Sequence, residues 1–391
     1  MAHYRNHFIL LFLATFTFFS ITCDTSSINV VSFGAKPDDE FDSTTPFLKA
    51  WSTACKSEES TTIYVPKGRF LLKQVTFEGP CKNNIEFRIN ATIVAPSDYR
   101  SLGNSGYWIL FKKVNGLSIH GGIFDGRGDG YWHCKKSGAS CPTGARSISF
   151  SSCKNVVVSR LRSLNSQVMH IGVHDCNDIM FKNLKIKAPE TSKNTDGMDV
   201  TSSTGITVSQ ASIMTGDDCI AVSQGSTNVL IEHITCGPGH GISIGSLGHS
   251  ENEVGVENVT VINSAFIGTT NGVRIKSLPQ PSNGYARNVV FRNLTMKDAR
   301  NPIIIDQRYC PSRSHCSSQS SGVKIDNVSY ENIKGTSASA QAINLDCSES
   351  NPCQDIKLQD INLSYNKGSA TSSCKNVGGI SSGVVIPNGC L

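Results

Sequence analysis

The chain has 391 residues, 38% apolar and 17% charged, which excludes a disordered chain and is enough for one large elongated domain or two ordinary ones. Its formal charge of +5 comes with no Lys/Arg-rich run and no basic helix. That argues against nucleic acid as a partner and suits an acidic polymer.

Residues 1–23 read as a secretory signal peptide. His3, Arg5 and His7 precede an apolar run over residues 8–19, and the small residues Ser20 and Thr22 come after it. About twelve apolar residues are too few for a bilayer core, which takes about 20, so no membrane association is expected once the segment is removed. Residues 24–391 contain no linker or low-complexity break and read as one domain. An acidic turn with Asp38, Asp39, Glu40 and Asp42 leads to a helix capped by Ser43 or Thr44, with Pro46 in its first turn. Phe47, Leu48, Trp51 and Cys55 fall at helical spacing on one face. This is expected to be the only substantial helix, covering the exposed end of a strand-rich body. Residues 64–68 then open the strand region.

From residue 84 a loose unit recurs: a turn residue, then alternating apolar positions. It begins at Asn84, Gly116, Asn155, Asp178, Gly205, Asn228, Asn258, Asn288, Gly322 and Asp355. Each unit predicts a short strand with one buried face. A short strand cannot bury that face alone, but equivalent strands stacked at a repeat bury a continuous core. The spacing is too variable for leucine-rich or propeller repeats, and a single-stranded parallel β-helix, all-β with a short N-terminal capping helix, fits. Asn and Gly at the unit starts suit sharp turns because they tolerate positive φ.

Fifteen cysteines, one of them Cys23 beside the expected cleavage site, point to an oxidising compartment. Spacing suggests Cys55 with Cys81, Cys134 with Cys141, Cys219 with Cys236, Cys310 with Cys316, Cys347 with Cys353 and Cys374 with Cys390. Cys153 and Cys176 are either a pair or buried thiols. No Cys-x-x-Cys or Cys/His cluster suggests a metal. Sequons at Asn90, Asn258, Asn293, Asn327 and Asn362 agree with secretion.

Four polar signatures stand out of this background: Asn194-Thr195-Asp196-Gly197, Gly216-Asp217-Asp218-Cys219, Gly239-His240-Gly241 and Arg274-Ile275-Lys276. Asp196 and Asp217 are about one repeat apart, so equivalent positions on neighbouring coils would stack at about 4.8 Å. Carboxylates that close cannot all ionise freely, so one pKa should rise and that group becomes an acid. Asp217 and Asp218 are consecutive and would point to opposite faces of a regular strand; both reach one groove only if the chain bends, which Gly216 permits. By parity His240 would face the core with Ile242 and Ile244, but its flanking glycines break that parity and place it in a turn facing the groove. Arg274 and Lys276, two apart, share one face while Val273 and Ile275 enter the core.

This ordered set resembles the polygalacturonases, glycoside hydrolases that cut pectin, and looks closest to the plant members. The resemblance covers essentially the whole mature chain. It implies a right-handed β-helix, Asp217 as general acid, Asp196 and Asp218 holding and deprotonating water, His240 assisting the acid, and inversion at the anomeric carbon. It also implies a galacturonate-binding set of Arg274, Lys276, Asn194 and Tyr309, the last within Asp306-Gln307-Arg308-Tyr309-Cys310. No metal and no cofactor is required, and the protein is expected to be a secreted, cell-wall monomer acting on polygalacturonate. Asp199 and Arg308 depart from the common plant pattern. Alternatives are an exo-acting or rhamnogalacturonan-type hydrolase, a calcium-dependent pectate lyase on the same architecture, and a non-enzymatic wall-polysaccharide-binding solenoid.

Overall fold

The computed structural model describes Met1 and residues 26–311 and 317–391. The expected signal peptide and Cys316 lie outside the described residues. The chain winds into coils, each laying its strands parallel on those of the coil before it. The strands assemble into a nineteen-stranded and an eleven-stranded sheet among the described residues. A typical coil gives one strand to the smaller sheet and two to the larger. Residues 145–164 do so with Ala145–Ser151, Lys154–Ser159 and Arg162–Leu164.

Alternation along each strand sends every second side chain inward. On the smaller sheet Ile148, Ile171, Met198, Ile220, Ile242, Val273, Ile303 and Ile343 stand directly above one another, and all are buried. Each such side chain contributes about 1.5–3 kcal/mol through burial. The outward positions of these same strands carry Ser243, Arg274 and Lys276, and the links leading into them carry the acidic groups of the site.

The turn residues do what their type predicts. Asn228, Asn258, Asn288 and Asn327 take φ of 55°, 55°, 57° and 49°. Their amides link adjacent coils: Asn258 Nδ2 donates to Asn228 Oδ1 at 2.6 Å, and Asn327 Nδ2 to Asn288 Oδ1 at 2.8 Å. The register corrects one unit. Val289 pairs with Val328 and Val328 with Ile356, so this coil's unit starts at Asn327 rather than Gly322. The alternation at Gly322 belongs to the segment leading into the strand Lys324–Ser337.

Helix α1, Thr44–Lys56, covers the N-terminal end as expected. Its Trp51 ring stacks on Phe87 at 5.9 Å and tilts against Phe77 at 5.3 Å. The buried face is Phe47, Ala50, Trp51 and Ala54, while Leu48 is exposed, because it sits about 100° round the helix from Phe47. Ser43 is the N-cap residue but makes no side-chain cap bond. A second helix, α2, Asp129–Ser137, adds to the one expected. It buries Tyr131, and Trp132 Nε1 donates to the Gln167 carbonyl at 3.1 Å. Five of the expected disulfides are present: Cys55–Cys81, Cys134–Cys141, Cys219–Cys236, Cys347–Cys353 and Cys374–Cys390. Cys310 is also disulfide-bonded. Cys153 and Cys176 are buried free thiols on adjacent coils.

Candidate active site

The site forms where the larger sheet hands the chain to the smaller one. Thr215 to Cys219 link the strands Ser212–Met214 and Ile220–Val222 without joining either. The bend needs Gly216, since a Cβ there would lie 2.0 Å from the Ser192 carbonyl oxygen. Thr195 Oγ1 accepts from the Gly216 amide at 3.0 Å. Asp217 and Asp218 thereby escape strand parity, and the Cys219–Cys236 disulfide fastens this coil to the next. Asp196 occupies the same position one coil earlier, before Met198–Thr201, and His240 one coil later, before Ile242–Leu247. Gly241, at φ 87°, lets the chain turn there; a Cβ on it would meet the Asn271 carbonyl oxygen at 2.2 Å. Arg274 and Lys276 come from Asn271–Ser277, a further coil on.

Asp217 faces the groove and is held from three sides. Its Oδ1 lies 2.9 Å from His240 Nδ1 and accepts from the Asp218 amide at 2.9 Å. Its Oδ2 accepts from the Asn194 amide at 3.2 Å and more weakly from Asn194 Nδ2 at 3.5 Å. Asn194 adopts φ 59°, which turns both donors toward Asp217. Asp218 is buried and ion-paired twice: Arg274 Nη2 donates to Oδ1 at 2.8 Å and Lys276 Nζ to Oδ2 at 2.7 Å. With 10% and 8% of their side chains exposed, Arg274 and Lys276 form no solvated strand face. Arg274 Nε donates to Ser243 Oγ at 3.0 Å. The Tyr309 ring covers both cations, its centroid 5.5 Å from Arg274 Cζ and 5.0 Å from Lys276 Nζ.

The protonation pattern differs from expectation at one point. Crowding does raise one carboxyl, but the one raised well above its ordinary value is Asp196. Burial is the main cause, joined by the charges of Asp217, Asp218 and Asp199. Burial pushes the Asp217 carboxyl up too, but the hydrogen bond and charge of His240, with the Asp218 amide and Lys276, outweigh it and hold the group below the usual range. The physical reason is partnership: Asp196 has no side-chain hydrogen bond or ion pair among the described residues, and Asp217 has several. Burial also raises Asp199, against the opposing charge of Arg146 and hydrogen bonds from Thr201 and Ser223. Asp306, in register beside Lys276, is raised by burial as well. Arg308 lies 3.5 Å from Asp346 on the rim.

The raised Asp196 carboxyl makes stability depend on pH. Below the unfolded pKa near 3.8 both folded and unfolded chains hold this proton. As pH rises toward the elevated folded pKa, the unfolded chain releases it first, and stability falls by about 1.4 kcal/mol per pH unit across that window. Asp196→Asn removes this dependence, so it should melt higher than wild type at pH 7 and with little difference at pH 3. Equal melting differences at both pH values would show that Asp196 is not held protonated by the fold.

Asp217, Asp218 and His240 offer ligand atoms within 4.8 Å of one another. A cation fits poorly, because both Asp218 oxygens are already taken by Arg274 and Lys276, whose charges would repel it.

The fold and this cluster define a β-helical hydrolase of charged polysaccharide. Residues 55–384 match the glycosyl hydrolases family 28, and the chain belongs to that family. It is 49% identical to a polygalacturonase of Prunus persica over the full length of both chains. It is 41% identical to an exopolygalacturonase of Platanus acerifolia, over 93% of this chain and 97% of the other. An endo-xylogalacturonan hydrolase from Aspergillus tubingensis shares the fold, with a TM-score of 0.81 over 92% of this chain and 100% of that one at 24% identity.

All eight residues singled out from the sequence come together here. Ser243 and Thr195 were given no role: Ser243 holds Arg274, and Thr195, bonded also to Ser192, holds the Gly216 amide 21 residues on, and neither residue type signals that. The flagged Asp199 lies in the row of Ser243 and Arg274, across Ala221.

Proposed function

We propose that this protein is a secreted polygalacturonase that hydrolyses the α-1,4-galacturonosyl linkages of pectin with inversion. The observation that carries the reading is the side-by-side placement of an Asp217–His240 pair and an Asp218 carboxylate locked between two cations. Asp217, hydrogen-bonded to His240, is the general acid that protonates the departing glycosidic oxygen. Asp196 and Asp218 hold the attacking water, and the ionised carboxylate of the two takes its proton. Arg274 spends Nε and Nη2 on Ser243 and Asp218, which leaves Nη1 and the remaining Lys276 hydrogens for a galacturonate carboxylate. Tyr309 packs beside them against the sugar. The disulfides and the residue pattern of positions 1–23 support export to the cell wall, and the enzyme acts as a monomer.

The test is digestion of polygalacturonate by pure protein, with reducing ends counted and the first anomer followed by proton NMR. The β-anomer should accumulate first. Initial α-anomer would replace inversion by a covalent route, in which one aspartate acts as nucleophile. Unsaturated, ultraviolet-absorbing product lost on chelation would make the protein a lyase, and no new reducing ends at all would make it a binding protein.

A further inference from the structure

The larger sheet carries a basic strip that the hydrolytic site does not use. Lys67, Arg69, Arg160 and Arg162 line a cleft of about 500 Å³ together with Asn90 and Thr92. Arg160 sits at φ 56° on the bend between Lys154–Ser159 and Arg162–Leu164. The next coil continues the charge. Lys185 lies in register beside Arg162, Lys187 beside Leu164 and Lys182 beside Ser159. Arg160, Arg162, Lys182, Lys185 and Lys187 are all exposed. Of the cations named here Arg69 alone is ion-paired, to Asp39, among the described residues.

Like charges opposite one another on adjacent strands are destabilising. Alternating placement of acids would have relieved Arg162 and Lys185, as Arg292 and Glu331 do in register elsewhere on this sheet. Beside the cations, Val157 and Met180 are in register with each other and left 41% and 43% exposed, an apolar step next to a charged one. A linear array of cations flanked by apolar surface complements a linear polyanion whose units have both a carboxylate and a C–H face.

We propose that this strip is a second polysaccharide-binding surface, and that it takes a de-esterified stretch of galacturonan. It rests on the reading of the substrate given above. The strip lies on the larger sheet, whereas the catalytic residues sit on the links into the smaller sheet and on its strand Asn271–Ser277, so a bound segment here leaves the hydrolytic groove open. Its role is to hold the enzyme on the acidic regions of its polymer while a separate segment is cut.

The test reverses charge in the triple variant Arg160→Glu/Arg162→Glu/Lys185→Glu. Retention is measured on immobilised polygalacturonate, in an Asp217→Asn, Asn90→Gln background, so that the polymer stays uncut and no glycan at that sequon covers the cleft. The triple variant should elute at clearly lower salt than its parent. In the otherwise wild-type enzyme the three changes should lower kcat/KM on the polymer about fivefold or more and leave trigalacturonate within about twofold. A folded triple variant, judged by its melting curve, that elutes with its parent overturns the proposal. An equal loss of retention on dextran sulfate also overturns it, since the strip would then be a general polyanion surface. If wild type cuts no polygalacturonate, the functional reading fails, while the column still reports on the strip.

Discussion

Asp217→Asn should lower turnover on polygalacturonate by about 10²–10⁴-fold, the usual cost of losing a general acid, while the protein folds and melts much as wild type does. The amide oxygen can serve either the Asp218 amide or the Asn194 donors, which use different oxygens of Asp217, and in the second orientation its N–H faces His240, but in neither can it deliver a proton to the leaving oxygen. Asp196→Asn and Asp218→Asn should be similarly severe. Combining either with Asp217→Asn should cost far less than the product of the single losses, because the three groups act on one transition state. Single-turnover assays on a defined oligogalacturonide would measure this. Activity of Asp217→Asn within about threefold of wild type would take Asp217 out of the acid's role. The elevated Asp196 carboxyl would then be the natural replacement.

The second large effect concerns the cations. Removing either one leaves Asp218 buried with half its compensation, and breaking a buried pair from one side costs about 3–5 kcal/mol. Lys276→Ala and Arg274→Ala should each lose stability on that scale by urea unfolding. Each should also lower kcat/KM on de-esterified polymer by about 2–5 kcal/mol in transition-state terms. Adding Asp218→Asn to Lys276→Ala should not recover stability, since buried Arg274 would then lack its counter-ion, and should leave the enzyme inactive. Preference for de-esterified over methyl-esterified substrate should shrink in both single variants if the free Arg274 and Lys276 donors meet the sugar carboxylate. Stability unchanged in both single variants would mean that Asp218 does not depend on them.

Much of this molecule is legible in its residues alone, and unevenly. The recurring turn residue with alternating apolar positions picks out one strand of each coil, because Asn or Gly at positive φ and inward Ile or Val are both residue-type signals. The smaller-sheet strands that frame the chemistry, such as Met198–Thr201 and Ile220–Val222, are only four and three residues long. Too short to show a period, they are reached through the polar motifs instead. Gly322 misleads because a local Gly-Val-Lys-Ile alternation reads like a unit start, and only pairing with Val289 separates it from Asn327. The site residues are all legible, but not their partners. Nothing in Arg274-Ile275-Lys276 says that its cations face Asp218 as well as a substrate, and nothing in the spacing says which carboxyl is left without a donor.

Asp218 meets Arg274 and Lys276 across 56 and 58 residues of chain, and that distance gives the ion pairs a further meaning. The strand Asn271–Ser277 is buried along its whole length. A one-residue slip of it would swap the two cations with Val273 and Ile275. Asp218 would then face aliphatic side chains, and charged groups would enter the core. The coils of a solenoid resemble one another closely enough to tolerate misalignment, but this triad does not. It acts as a checksum on winding, satisfied only when three successive turns are stacked in frame. Catalytic competence and correct threading of the chain are therefore written into the same three side chains, so a misthreaded molecule would be both unstable and inactive.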